Sequence, residues 1–143
     1  NIVADEIAFF TELLPNVDIL FANQQEAETF TGESDPEAAL LKLGDICRTV
    51  VVKTGGAGAK AKRDAEVVNV AARPVQQVLD TTGAGDFFAA GFLYGLSNGC
   101  ELAECVYKGT VLAAYVIEVA GTHLPEETWD AIRAEINAVR PAV

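Results

Sequence analysis

The sequence predicts an α/β fold in which a mostly parallel sheet carries helices on its faces, and three observations predict it. The run Val17–Ala22 has strand length, is mostly apolar and is followed at once by a helix start at Asn23. A second run, Thr49-Val50-Val51-Val52-Lys53, is β-branched over most of its length, as a buried strand requires. A third, with Val75, Val78 and Leu79 as strand-like residues, breaks at Asp80-Thr81-Thr82-Gly83 and runs directly into a helical pattern. Strand-to-helix succession of this kind builds parallel sheets, and ligands on such sheets gather at the carboxyl ends of the strands. Asn23, the stretch from Lys53 to Gly58 and the stretch from Asp80 to Asp86 are all expected at that edge.

The remaining elements follow in order. Residues 3–14 read as an amphipathic helix with Ile7, Phe10 and Leu14 on one face, and Pro15 ends it. Asn23 with Glu26 three residues on has capping-box spacing. Asp35-Pro36 opens another helix, with Pro at the first helical position, Ala39, Leu40 and Leu43 on its buried side and Gly44 near its end. Residues 59–70 read as two short strands around Asp64-Ala65. Phe88, Phe92 and Leu96 recur at i, i+4 and i+8 and give the next helix an apolar face. Asn98-Gly99 stops that helix. Glu101–Ala120 reads as a long helix whose inward side is small or apolar at Val106, Thr110, Ala113, Ala114 and Ile117. Small residues there permit close packing or leave room for a flat ring. Pro125–Val139 closes the chain as a helix with Trp129, Ile132 and Ile136 as its core stripe.

Composition narrows the function. The chain has 143 residues, half of them hydrophobic, with a formal charge of −11. That is enough apolar material for a core, and the balance opposes a nucleic-acid partner, whose phosphates need a basic surface. Apolar runs are short and interrupted, so no segment spans a membrane, and no secretory leader is in view. Cys47, Cys100 and Cys105 form no C-x-x-C and lack zinc-ligand spacing with the lone His123, so they read as reduced thiols in a cytoplasmic-type compartment. His123 reads as a surface loop residue.

The chemistry concentrates in Val78–Leu96. Gly83 and Gly85 lack side chains, so an incoming group can approach the N–H groups of Gly83, Ala84 and Gly85 at a helix start, where orphan donors and the helix dipole favour an anion. Asp86 places a carboxylate in the first turn. An anion-welcoming helix start with a base beside it suits attack by a hydroxyl on a phosphoryl group. Read structurally, the same residues are a tight turn with a favourable first-turn charge. The whole string D-T-T-G-A-G-D followed by F-x-A-G-F decides between the two. It resembles the second signature of the ribokinase-like (PfkB) carbohydrate and nucleoside kinases.

That resemblance implies a ribokinase-like fold, a Rossmann-like three-layer α/β arrangement with helices on both faces of the sheet. It covers only the C-terminal portion of such kinases. Residues 1–143 would then form a single domain portion with the nucleotide site and the catalytic base, while the substrate and lid portion precedes Asn1. It implies Asp86 as catalytic base and the N–H groups of Gly83, Ala84 and Gly85 as an anion hole. N-Q-Q-E looks like the family's N-x-x-E motif, in which Asn23 organises phosphates and Glu26 the water shell of Mg²⁺. Gln24 is a mild departure, since Glu often stands there.

T-G-G-A-G-A-K-A also contains Gly56-x-Gly58-x-x-Ala61, a relaxed dinucleotide fingerprint. That fingerprint needs a helix opening at the glycines, and strands follow instead. The resemblance is to the kinases' strand-G-x-x-G-A turn, with Gly55 and Gly58 approaching nucleotide phosphates and Lys53 neutralising part of their charge. A hairpin turn with a solvated lysine is the plainer account. The resemblance further implies Thr110, Val111 and Ala114 near the nucleotide base, and a monovalent cation (K⁺) at Asp80 and the Gly121 turn. ATP and Mg²⁺ are the implied cofactors, a small sugar or a nucleoside such as adenosine the substrate, and a homodimer one assembly it admits. G-F-L-Y-G-L with A-A-Y-V-I-E-V-x-G is similar to adenosine-kinase-like and sugar-kinase members. Two rivals stay open: a non-catalytic nucleotide-binding kinase half serving folding or assembly, and a nicotinamide-dependent dehydrogenase resting only on Gly56-x-Gly58.

Overall fold

A computed structural model describes residues 2–138 of the chain. The described residues divide into two compact units. One comprises the chain up to Thr54 with Lys60–Val68, the other Gly55–Ala59 with the chain from Asn69 onward.

In the first unit, helix α1 (Ile2–Leu13) runs into a 3₁₀ turn over Leu14–Asn16 that carries Pro15. The apolar face expected for it is only partly used: Leu14 is buried and Ile7 half-buried, whereas Phe10 stays exposed. Strand β1 (Ile19–Asn23) begins two residues later than the apolar run predicts. Helices α2 (Gln24–Thr31) and α3 (Pro36–Gly44) follow, the latter capped by Asp35, whose Oδ2 accepts the Ala38 N–H at 2.9 Å. Strand β2 (Thr49–Lys53) matches the predicted run residue for residue. It pairs with β1 in parallel, in a register that sets Asn23 opposite Lys53. Val50 and Val52 join Leu14, Ala22, Ala27, Leu40 and Leu43 in one buried cluster. A β-branched run whose side chains are buried up to a half-buried last residue is what a strand covered on both faces requires. Strands β3 (Ala59–Arg63) and β4 (Glu66–Val70) form the expected hairpin around Asp64-Ala65 and complete a sheet of order β1-β2-β3-β4. Asp64 takes a left-handed conformation at that turn, φ 52°, as an Asp can.

The second unit is helical. Helices α4 (Ala84–Ser97), α5 (Leu102–Ile117) and α6 (Glu126–Ala138) make it up; Val139, expected to end the closing helix, lies outside the described residues. Helix α5 stops at Ile117, three residues short of the predicted end, because Glu118–Thr122 turns. It is buried almost all round, including Lys108, which donates to the Ile136 carbonyl near the end of α6. Val111, Leu112, Leu124, Ile132 and Ile136 form its cluster with α6, with Trp129 packed on the margin.

One expectation fails here. Val75, Val78 and Leu79 form no strand: residues 71–82 carry no regular structure, and Val78 and Leu79 are more than half exposed. Strand geometry needs a neighbouring ladder, and among the described residues this segment has none. Its Leu79 and Asp80 N–H groups turn instead to one helix carbonyl, that of Ile117.

Candidate functional site

In the first unit, Asn23 ends β1 and caps α2 at once. Its Oδ1 accepts the Glu26 N–H at 2.8 Å, and Glu26 Oε2 accepts the Asn23 N–H at 2.8 Å. The capping box therefore forms in full, which satisfies two first-turn donors reciprocally. It also fixes what is left for a ligand. Asn23 keeps its side-chain NH₂ and Glu26 keeps Oε1, both at the exposed carboxyl end of a parallel strand. Lys53 stands opposite Asn23 in register and is half-buried. Two of the three sequence motifs thus meet on adjacent strand ends. A cleft of about 360 Å³ opens beside them, lined by Glu6, Phe10, Asn23, Glu26, Thr29 and Phe30 among others.

In the second unit, Gly55–Ala57 makes a 3₁₀ turn closed by the Gly58 N–H on the Gly55 carbonyl at 3.0 Å. A strand follows it, not an α-helix, so the dinucleotide fingerprint is excluded as the sequence spacing indicates.

Gly83 is the N-cap of α4 with φ 76°, a conformation that favours glycine. A Cβ there would lie 2.8 Å from Thr122 Cγ2, so space demands glycine as well. The Ala84 N–H bonds to the Thr81 carbonyl at 3.2 Å and the Phe87 N–H to Gly83 at 2.9 Å. The intervening N–H groups, of Gly85 and Asp86, lie in the first turn, where no helical carbonyl is in reach. Helix α4 thus presents donors and its positive dipole end at Gly85 and Asp86, with the Asp86 carboxylate exposed among them. Of the expected anion hole, Ala84 is the donor already engaged.

Asp80 anchors this turn. Its Oδ1 accepts the Thr82 N–H at 2.9 Å and its Oδ2 the Gly121 N–H at 3.0 Å. The Thr82 hydroxyl, the Thr82 N–H and the Gly121 N–H, in that order, hold the Asp80 carboxyl below the usual carboxylate range. A carboxylate offers about four lone-pair positions, so about one remains. Gly121 contributes an N–H to Asp80 in this arrangement.

Thr110, Val111 and Ala114 are all buried within the helical unit. The Thr110 hydroxyl donates back to the Tyr107 carbonyl at 2.8 Å, and Val111 belongs to the α5–α6 cluster. Helices α4 and α5 approach closely: a Cβ on Gly91 would lie 2.4 Å from the Lys108 carbonyl oxygen. His123 is exposed, as expected.

Sequence reasoning missed a polar cluster in this unit. Glu135 accepts from Arg73 Nε at 2.8 Å, from Tyr115 at 3.0 Å and from Tyr107 at 3.4 Å, and the Arg73 guanidinium lies 4.2 Å from the Tyr115 ring centroid. Burial and the Glu135 charge push both tyrosines' pKa values up. Arg73 and Glu135 are 62 residues apart with no pattern linking them.

Among the described residues no group of three or more His, Cys, Asp or Glu side chains is placed to hold a metal, and no helix is long and apolar enough to cross a membrane.

Comparison with known proteins gives a consistent result. A model of the pfkB family carbohydrate kinases matches residues 2–129. An uncharacterized sugar kinase of Archaeoglobus fulgidus is 40% identical over 111 residues, covering 77% of this chain and 44% of that protein. Adenosine kinase 1 of Arabidopsis thaliana is 33% identical over 128 residues, covering 80% of this chain and 37% of that protein. The crystal structure of adenosine kinase from Sinorhizobium meliloti superposes with a TM-score of 0.85 at 38% identity, covering 93% of this chain and 41% of that one. The chain therefore spans about two fifths of the length of these relatives.

Proposed function

The chain belongs to the pfkB family of carbohydrate kinases, and from that premise we propose that it carries the phosphate-binding and proton-accepting part of an ATP-dependent phosphotransferase acting on a hydroxyl of a small sugar or nucleoside. Its α/β fold is ribokinase-like. The observation that carries the reading is the start of α4: a left-handed Gly83, first-turn donors with no helical acceptor, and an exposed carboxylate on the same turn.

Asp86 accepts the proton of the substrate hydroxyl as that oxygen attacks the γ-phosphorus, a role its exposure permits. The N–H groups of Gly83 and Gly85, with that of Ala84 released from Thr81, face the charge on the transferring oxygens; donors aimed at developing charge lower the barrier without reorganising. In the first unit, Asn23 offers its NH₂ and Lys53 its ammonium to phosphate oxygens. Mg²⁺ neutralises phosphate charge when bound, and Glu26 Oε1 is the carboxylate oxygen left for it. One carboxylate suits an ion that keeps several waters and takes its other ligands from phosphates. A monovalent cation at Asp80 would use the lone pair that the three hydrogen bonds leave.

Transfer of labelled phosphate from Mg-ATP to a panel of sugars and nucleosides tests the reading. Transfer to one compound names the substrate. Mg-ATP binding with no transfer to any supports the second reading, a non-catalytic nucleotide-binding kinase half. Absence of Mg-ATP binding overturns both.

A further inference from the structure

Residues 71–82 lead into the Asp80–Gly83 turn without strand or helix, so something else must set their path. The polar ties described for them run largely to the end of α5. The Ile117 carbonyl accepts the Leu79 N–H at 2.8 Å and the Asp80 N–H at 3.3 Å. Glu118 Oε1 accepts the Gln76 N–H at 2.8 Å, and Glu118 Oε2 lies 3.8 Å from Arg73 Nη1. Gly121 then donates to Asp80. Glu118 is the C-cap residue of α5, where the helix dipole disfavours a negative charge. A carboxylate kept against that dipole, and engaged with a backbone donor 42 residues away, has a local reason to be there.

We propose that Glu118 is a positioning residue for the phosphate turn: by accepting the Gln76 N–H it fixes the approach of residues 76–80, so that Asp80 reaches Gly121 and Gly83 and Gly85 present their N–H groups in one arrangement. The inference deepens the proposed phosphate site and rests on it for its ligand, not for its geometry. It assigns the acceptor oxygen, rather than the charge, as the working part of the side chain.

Three variants separate these. Glu118→Gln keeps an acceptor of the same reach and loses the charge. Glu118→Asp keeps the charge and loses the reach. Glu118→Ala loses both, and should it fail to fold, the other two still decide. The readouts are the ¹⁵N–¹H resonances of Gly83 and Gly85, hydrogen exchange at Gln76, and Mg-ADP affinity by calorimetry. Glu118→Asp and Glu118→Ala are expected to shift both glycine resonances, speed exchange at Gln76 and weaken Mg-ADP by roughly three- to tenfold, the effect of one lost hydrogen bond. Glu118→Gln is expected to stay within about twofold of the wild type, a rescue that a charge-based role does not give. Unmoved glycine resonances in Glu118→Asp and Glu118→Ala overturn the proposal, as does damage from Glu118→Gln equal to that from Glu118→Ala. If the wild type binds no Mg-ADP, the nucleotide reading fails by itself, and the glycine resonances still decide the positioning role.

Discussion

Asp80 and Gly121, 41 residues apart, are joined by a hydrogen bond of 3.0 Å from the Gly121 N–H to Asp80 Oδ2. The bond ties the loop before α4 to the turn after α5. With the Thr82 hydroxyl and N–H, it also makes the ionised carboxylate the better acceptor and lowers the Asp80 pKa. A carboxyl whose folded pKa is depressed adds stability that is present above its unfolded value, near about 3.9, and is lost as pH falls through the lower folded value. The Asp80→Asn variant lacks that component. Its melting temperature is therefore expected to fall furthest below the wild type's at pH values above about 4, and the gap to close as pH falls further. Melting curves of both proteins across that range check this, and a gap that is constant with pH counts against it.

Gly58 is held by geometry and by space together. Its φ is 105°, and a Cβ there would lie 2.0 Å from the Val70 carbonyl oxygen and 2.7 Å from the Ala72 nitrogen, both backbone atoms that cannot swing away. Gly55 has φ 60° but nothing within 4 Å of a Cβ. Gly58→Ala is expected to destabilise by at least about 2 kcal/mol, from strain and overpacking combined. Gly55→Ala should cost about 1–2 kcal/mol, the left-handed penalty alone. Urea unfolding of the two variants measures the difference, and equal losses remove the packing argument.

How far the chain could be read without coordinates depended on whether the signal was local. The Thr49–Lys53 strand, the Asp35 cap, the Asn23–Glu26 capping box and the Asp64-Ala65 hairpin are written in neighbouring residues, and all form as read. The Val75–Leu79 strand was misread because apolar, strand-like residues do not form a strand without a neighbour to pair with. Thr110, Val111 and Ala114 show the limit of a small-residue stripe: the pattern is the same for a helix packed against a helix and for one facing a ring. Glu118 and Glu135 were invisible for another reason. Each acts on partners 42 or 62 residues away along the chain, and one sequence holds no record of such pairings.

The close approach of α4 and α5 gives a separate test of that packing. A Cβ at Gly91 would meet the Lys108 carbonyl oxygen at 2.4 Å and Gly109 Cα at 2.9 Å, and one at Gly109 would meet the Phe88 carbonyl oxygen at 2.9 Å. An added methyl must push the helices apart, and overpacking typically costs about 1–3 kcal/mol. Gly91→Ala and Gly109→Ala should each destabilise in that range despite alanine's better helix propensity. Because both act by separating the same two helices, the double variant should lose less than the sum. Additive losses in chemical unfolding would show that the two sites yield independently.

Asp86 carries the sharpest test of the proposed chemistry. A positioned general base is worth about 10²–10⁴ in rate, so Asp86→Asn is expected to lower turnover with Mg-ATP by that range. Affinity for Mg-ATP should change little, because the base acts on the acceptor hydroxyl and not on the nucleotide. The substitution also removes a first-turn charge that the helix dipole favours, worth about 0.3–1 kcal/mol, so a small drop in melting temperature accompanies it. Gly85→Val makes the contrast, since a side chain at that turn intrudes where the phosphate must come and should damage binding and turnover together. Steady-state kinetics with direct nucleotide binding separates the two variants. If Asp86→Asn loses Mg-ATP binding as heavily as turnover, the carboxylate holds the nucleotide or its metal, and the base must be sought elsewhere.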